Sequence, residues 1–244
     1  MTDAPDEVNG ARVARRMPLR GIQRIVANRT LAGTQTTAHV TAMAEVDATE
    51  LMATARDAQT RIPGLTLTHL LLKATALCLR DHPRLNATMA EQTIIEYADV
   101  NIVVALSLPS DDLVGVVVKR ADERPLEELV TDLQGLQLRA QAGSLTLEDV
   151  RGGTFTLSNY GMLRTVIWAT PILTPGQAGI LGVGRASPRV VVDSTAESGW
   201  AIRPVLPISL TYDHRVVNGV PAGRFIDDLA DLLQHPERLV SGVS

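Results

Sequence analysis

Cysteine is almost absent from these 244 residues. Cys78 stands alone, which excludes an intrachain disulfide and a cysteine-built zinc cluster. It lies in the apolar run 70–79 and reads as a small buried hydrophobe. Long apolar runs are missing as well: none reaches the roughly 18 residues of a membrane span. The N-terminus, acidic and then rich in arginine, lacks the hydrophobic region of a secretory signal, so a soluble cytoplasmic protein with no membrane partner is expected. A formal net charge of −4 gives no reason to expect nucleic acid. Histidine, aspartate and glutamate nowhere fall at ligand spacing, so no metal site is expected. Lysine is scarce, with only Lys73 and Lys119, and Lys73 falls in a helix pattern apolar on nearly every side. What is plentiful is core material: 45% of residues are hydrophobic and 20% charged, enough for a sizeable interior.

Residues 1–17 are polar and aperiodic and read as a flexible extension. No repeat or linker divides 18–244, which reads as one domain. Helices are expected over 18–32, opened by Pro18, over 66–80 buried on most sides, over 125–140 with Leu126, Leu129, Val130 and Leu133 on one face, and at the C-terminal end through Ala222, Phe225, Ile226, Leu229 and Leu233. Strands are expected over 36–46, 101–107, 113–119, 153–158, 179–184 and 190–192, and along the alternation of Leu206, Ile208, Leu210 and Tyr212. Helices and strands are mixed without strict alternation, which predicts an α/β (α+β) fold with a mixed sheet packed by helices.

The last strand runs into Asp213-His214-Arg215-Val216-Val217-Asn218-Gly219. His214 shares the parity of Leu206 to Tyr212, so a persisting strand would turn its ring to the buried side. A lone histidine there is more often a satisfied core residue. The flanking Asp213 and Arg215 and the small Asn218-Gly219 pair suit a positioned general base instead. A base needs a donor for the charge it creates, and Thr154, Thr156 and Ser158 offer hydroxyls on one face of a strand beside a turn. Taken alone, these are ordinary strand hydroxyls bonded to backbone.

In this order and separation the two segments resemble the catalytic domain of the dihydrolipoamide acyltransferases of 2-oxoacid dehydrogenase complexes. Pro18-Leu19-Arg20-Gly21-Ile22, Thr37-Ala38-His39-Val40, Glu45 to Leu51, Gly153 to Met162, Ala178 to Gly184 and Pro207-Ile208-Ser209-Leu210 extend the likeness over residues 18–244. The resemblance implies a fold like chloramphenicol acetyltransferase, assembled as a homotrimer with active sites at subunit interfaces. It implies His214 as general base, Ser158 of a neighbouring subunit as oxyanion donor, and direct acyl transfer from acetyl-CoA without an acyl-enzyme. Most members carry Asp where this chain has Asn218, and many carry Arg where it has Gln23. Two amides can still bond to each other, and Asn218 is taken as a neutral brace of the histidine turn. His39 matches a family histidine that either lines the channel or is structural.

Family members also carry a lipoyl domain and a partner-binding domain. Neither lysine here sits in a lipoylation context, so no covalently bound lipoyl group is expected. The acceptor is then either a lipoyl domain in trans or another molecule, and the expectation favours a standalone O-acetyltransferase acting on a tetronate hydroxymethyl group. The alternatives are a dihydrolipoamide acyltransferase core and a non-catalytic trimeric scaffold. The mild tail 239–244 favours an isolated trimer over a cage.

Overall fold

The longest strand sets the axis of the sheet. In a computed structural model, which describes residues 7–108 and 113–240, the elements are β1 (Glu7–Val8), β2 (Ala11–Arg12), α1 (Gly21–Thr36), β3 (His39–Asp47), α2 (Thr49–Arg61), α3 (Leu67–Asp81), β4 (Ala87–Ala90), β5 (Thr93–Glu96), β6 (Ile102–Ser107), β7 (Leu113–Val118), α4 (Leu126–Gln141), β8 (Phe155–Asn159), β9 (Gly179–Val183), β10 (Ser187–Val192), β11 (Trp200–Asp213) and α5 (Gly219–Gln234), followed by a 3-10 turn at Pro236–Leu239. Seven strands form one mixed sheet in the order β10-β11-β9-β8-β6-β7, with β3 also paired to β11. β6, β8 and β9 run parallel, while β11 runs antiparallel to β9, β10 and β3. Val205 pairs with both Asp47 and Ser187, and residues 208–212 pair with both β3 and β9. β3 therefore holds one edge of β11, and β10 and β9 share the other.

Alternation divides β11 between two environments. Leu206, Ile208, Leu210 and Tyr212 belong to the core, where α2, α3 and α5 cover that face. Ser209, Thr211 and Asp213 point the other way yet are also buried. Phe155 of β8 and Phe225 of α5, both fully buried, meet with ring centroids 6.1 Å apart. Loss of either ring is worth about 3–5 kcal/mol.

α3 bears out the expectation of burial on most sides. Leu70, Leu71, Leu72, Ala74 and Leu79 are inaccessible or nearly so, and Cys78 is buried, its thiol pushed up to about 12 chiefly by burial. Lys73 fits there because its ammonium donates to the carbonyls of Asp122 at 2.8 Å and Arg124 at 2.7 Å. Burial still holds its pKa below the ordinary lysine value, against the attraction of Asp122.

Within the stretch read as an extension, β1 and β2 pair as an exposed hairpin. Its turn, Asn9-Gly10, takes φ of 52° and 79°, the geometry of a type I′ turn. Residues 1–6 of that extension and 241–244 of the tail lie outside the described residues. No helix among the described residues is long and apolar enough to cross a membrane.

Candidate active site

β11 stops at Asp213, and this corrects the expectation that His214 is buried. The Asp213 carbonyl accepts the N–H groups of Val216 at 2.9 Å and Val217 at 3.0 Å, which winds the chain into a turn. His214 lies in that turn and is exposed. Its N–H still donates to Ala38 at 2.8 Å, and its ring lies 5.8 Å from that of Tyr212, so the parity holds while the burial does not. The buried member of the motif is Asp213, 2% exposed.

Asp213 ties the turn together. Its carboxylate accepts the backbone N–H of Ala38 at 3.2 Å and of Arg215 at 3.1 Å. It also takes the Arg215 guanidinium, with Nη2 at 2.6 Å. Burial pushes the carboxyl pKa up, but the Arg215 hydrogen bonds and the two backbone donors outweigh it and hold it below the usual value. Both connections of His214, to β3 and to α5, are thereby fixed by its neighbour. The motif had shown Asp213 only as a flanking charge. The signal for its role was its parity with Ser209 and Thr211, on the polar face.

The hydroxyls on β8 and just before it separate cleanly. Thr154 donates to the Asn101 carbonyl and accepts the Asn101 N–H. Thr156 donates to the side-chain Oε1 of Gln177 at 2.5 Å. Ser158 is half-buried, and its hydroxyl has no partner among the described residues. The strand end beyond it is pinned: the Asn159 amide donates to Thr68 at 3.0 Å and accepts the Gly161 N–H at 2.9 Å, and Tyr160 donates its N–H to Val183. The Tyr160 hydroxyl accepts the Ala169 N–H at 3.0 Å and meets Ser209 at 3.2 Å. Tyr160 thus crosses Gly182, where a Cβ would stand 3.1 Å from its ring.

Register places Ser158 and His214 far apart within one chain. Ser158 aligns with Gly182, and Gly182 with Ser209. His214 lies five residues further along β11, so two strand spacings and that run put the pair roughly 19 Å apart. One copy alone does not bring them together. Asn218 caps the start of α5 with its backbone, its carbonyl accepting the Ala222 N–H. Its side chain and that of Gln23 are exposed and make no bond to each other among the described residues, so the brace proposed for Asn218 is not formed within the protomer. His39 is held on both ring nitrogens. Nε2 accepts the Leu173 N–H at 2.9 Å, and Nδ1 meets the Thr37 hydroxyl at 3.1 Å, a structural role in the single chain. Among the described residues no group of three His, Cys, Asp or Glu is placed to hold a metal.

Residues 11–241 match the family model described as 2-oxoacid dehydrogenases acyltransferase (catalytic domain). The chain is 35% identical over 221 residues to the dihydrolipoyllysine-residue acetyltransferase component of the Mycobacterium tuberculosis pyruvate dehydrogenase complex. That alignment covers 87% of this chain and 40% of the relative, so the chain spans less than half that protein's length. It also superposes with a TM-score of 0.88 and 30% identity, covering 96% of this chain and 98% of the other, on Azotobacter vinelandii dihydrolipoamide acetyltransferase. That structure belongs to an investigation of the catalytic roles of a serine, a histidine and an asparagine, the asparagine four positions after the histidine. Chloramphenicol acetyltransferase shares the fold, with a TM-score of 0.56 at 14% identity over 84% of this chain and 94% of the other.

Proposed function

The chain belongs to the family of 2-oxoacid dehydrogenase acyltransferase catalytic domains, and on that premise we propose that it transfers an acyl group between coenzyme A and a dihydrolipoamide thiol. The site forms between copies of the chain in a homotrimer, His214 of one facing Ser158 of another. The observation that carries this reading is the pairing of a free hydroxyl with a distant base. Ser158 is the one β8 hydroxyl without a partner among the described residues, and its own His214 stands at the opposite end of the sheet.

The chemistry follows from these two groups. A ring nitrogen of His214 takes the proton of the acceptor thiol as its sulfur attacks the thioester carbonyl. The carbonyl pair moves onto oxygen, and that oxyanion accepts a hydrogen bond from Ser158. When the tetrahedral adduct collapses, the C–S bond to coenzyme A breaks, and the leaving thiolate recovers the proton from His214. No acyl-enzyme forms, so both substrates must be held in line. Asn218 stands four positions after His214, the spacing of the Azotobacter pair. Its carbonyl caps the start of α5 directly after the histidine turn.

A tetronate hydroxymethyl acceptor, the first expectation, has no support in these similarities, and the dihydrolipoamide alternative replaces it. A lipoyl domain carries the acceptor to the site. Steady-state assays with acetyl-CoA and either dihydrolipoamide or a hydroxymethyl tetronate test this reading; faster release of coenzyme A with the tetronate would sink it. His214→Ala should lower kcat by about 10²–10⁴-fold, and Ser158→Ala by about 10²–10³-fold, with trimers intact by light scattering. Unchanged turnover in His214→Ala would defeat the assignment of His214 as the base.

A further inference from the structure

One stretch of the chain runs from Ser158 to the neighbourhood of His214. Residues 160–178 leave β8 directly after Ser158 and Asn159 and form neither helix nor strand. Hydrogen bonds fix their course instead. The Tyr160 hydroxyl holds the start to Ser209 and Ala169, and the Ile167 carbonyl lies against Gly184. At the far end the Gln177 amide returns to Thr156 and to the Gly153 carbonyl. Between those points the stretch reaches β3, where the Leu173 N–H donates to Nε2 of His39 at 2.9 Å.

His39 is the first residue of β3 and the register partner of Asp213. Ala38, just before it, accepts the His214 N–H at 2.8 Å and donates its own N–H to Asp213 at 3.2 Å. Element ends fray first, so whatever holds His39 also holds the turn that presents the base. The ring is committed to one tautomer. Because Nε2 accepts, a neutral ring carries its proton on Nδ1, and Nδ1–H donates to the Thr37 hydroxyl at 3.1 Å. That hydroxyl donates in turn to the Gly33 carbonyl at 2.5 Å. Three bonds therefore point one way, from Leu173 through His39 and Thr37 to the end of α1, and each polarises the next.

Both ring nitrogens are thus engaged within the protomer, which argues against a channel residue that bonds substrate. We infer that His39 is a positioning residue for acyl transfer: as the Nδ1–H tautomer it clamps the 160–173 stretch to the start of β3 and so sets the orientation of the His214 turn. The inference rests on His214 acting as the base, as proposed above. A misplacement of about 1 Å costs on the order of 10²-fold in rate, so a clamp on the strand end that braces the turn bears on kcat. The same bond joins the stretch leaving Ser158 to the residues bracing His214. The halves that one chain lends to two sites therefore share one frame.

The test compares two side chains at this position in the full chain, assayed with acetyl-CoA and dihydrolipoamide. His39→Gln carries an amide oxygen to the place of Nε2 and keeps an acceptor for the Leu173 N–H, whereas the shorter His39→Asn reaches only the place of Nδ1. His39→Asn should lower kcat about tenfold, about 1.4 kcal/mol of barrier, with KM held within about twofold, and His39→Gln should keep kcat within about threefold of the unaltered chain. Amide exchange should quicken at Leu173 and His214 in His39→Asn alone. In the unaltered protein, ¹⁵N-labelled histidine should show His39 protonated on Nδ1. A change in KM with kcat held would mean that the ring touches substrate, and an equal loss in both variants would mean that the Leu173 bond is idle; either overturns the inference. Should His39→Asn fail to fold, Thr37→Val removes the acceptor of Nδ1–H and leaves the ring in place. It should shift the proton towards Nε2 and lower kcat, and a tautomer and kcat that both stay put would overturn the clamp. Quickened exchange at His214, in proteins of which even the unaltered one transfers no acyl group, keeps the clamp and overturns the acyl-transfer reading instead.

Discussion

Asp213 shows how one buried carboxylate can govern a neighbouring base. Its five acceptor contacts to Ala38 and Arg215 set the turn from which His214 projects, so its loss acts on geometry before it acts on charge. Asp213→Asn keeps the shape, removes the charge assistance and should lower stability by about 1.5–3 kcal/mol, the worth of hydrogen bonds to a charged group. The pH dependence has a definite sign. A carboxyl held below its ordinary value in the folded state contributes stability above that ordinary value and loses it as the pH falls through the folded one. Thermal melts from pH 6 downward should therefore fall less steeply for the variant; parallel curves would show that Asp213 is not the group responsible. The two residues on which the proposed site rests could be picked out in the sequence, because His214 and Ser158 sit in motifs whose order is specific. The burial of Asp213 was not. Alternation says which face a residue takes, not where the strand stops, and the stop is set by carbonyl bonds to Val216 and Val217.

At the scale of elements, legibility followed the strength of the periodic signal. α3, α4, α5 and the strands of the central sheet lie within a few residues of expectation, since their apolar spacing answers to one large core. α2 was missed because its buried face is thin, only Leu51, Ala55 and Ala58, and two alanines give little contrast. The β4–β5 hairpin was missed because its turn is Glu91-Gln92, at φ of 47° and 65°, where Asn-Gly would have been the signal. α1 begins at Gly21 rather than Pro18 and leaves Ile25, Val26 and Leu31 exposed. Its anchor is Gly33, where a Cβ would stand 2.2 Å from the Leu173 carbonyl oxygen. Backbone cannot yield as a flexible side chain does, so Gly33→Ala should push α1 off the 172–173 segment at a cost of about 1–3 kcal/mol. The bond from Leu173 to His39 should loosen with it. A lower melting temperature together with faster amide exchange at Leu173 checks this; an unshifted melt would mean that α1 docks elsewhere.

For the whole molecule, the governing fact is the roughly 19 Å between Ser158 and His214 of one chain, spanned by the sheet. On the proposed intersubunit site, a polypeptide built this way contributes half of one site at each end, so its failures are shared with its neighbours. A protomer without Ser158 spoils one site while lending its histidine soundly to another, and a protomer without His214 does the reverse. Two separately inactive preparations, Ser158→Ala and His214→Ala, should accordingly rescue one another when unfolded together and reassembled. Random mixing in a closed ring would restore about one site in four. Reassembled activity at that level, against none for either protein alone, measures the sharing directly, and a mixture that stayed dead would place base and hydroxyl in separate sites. In genetic terms the two lesions would complement, although both lie in a single gene.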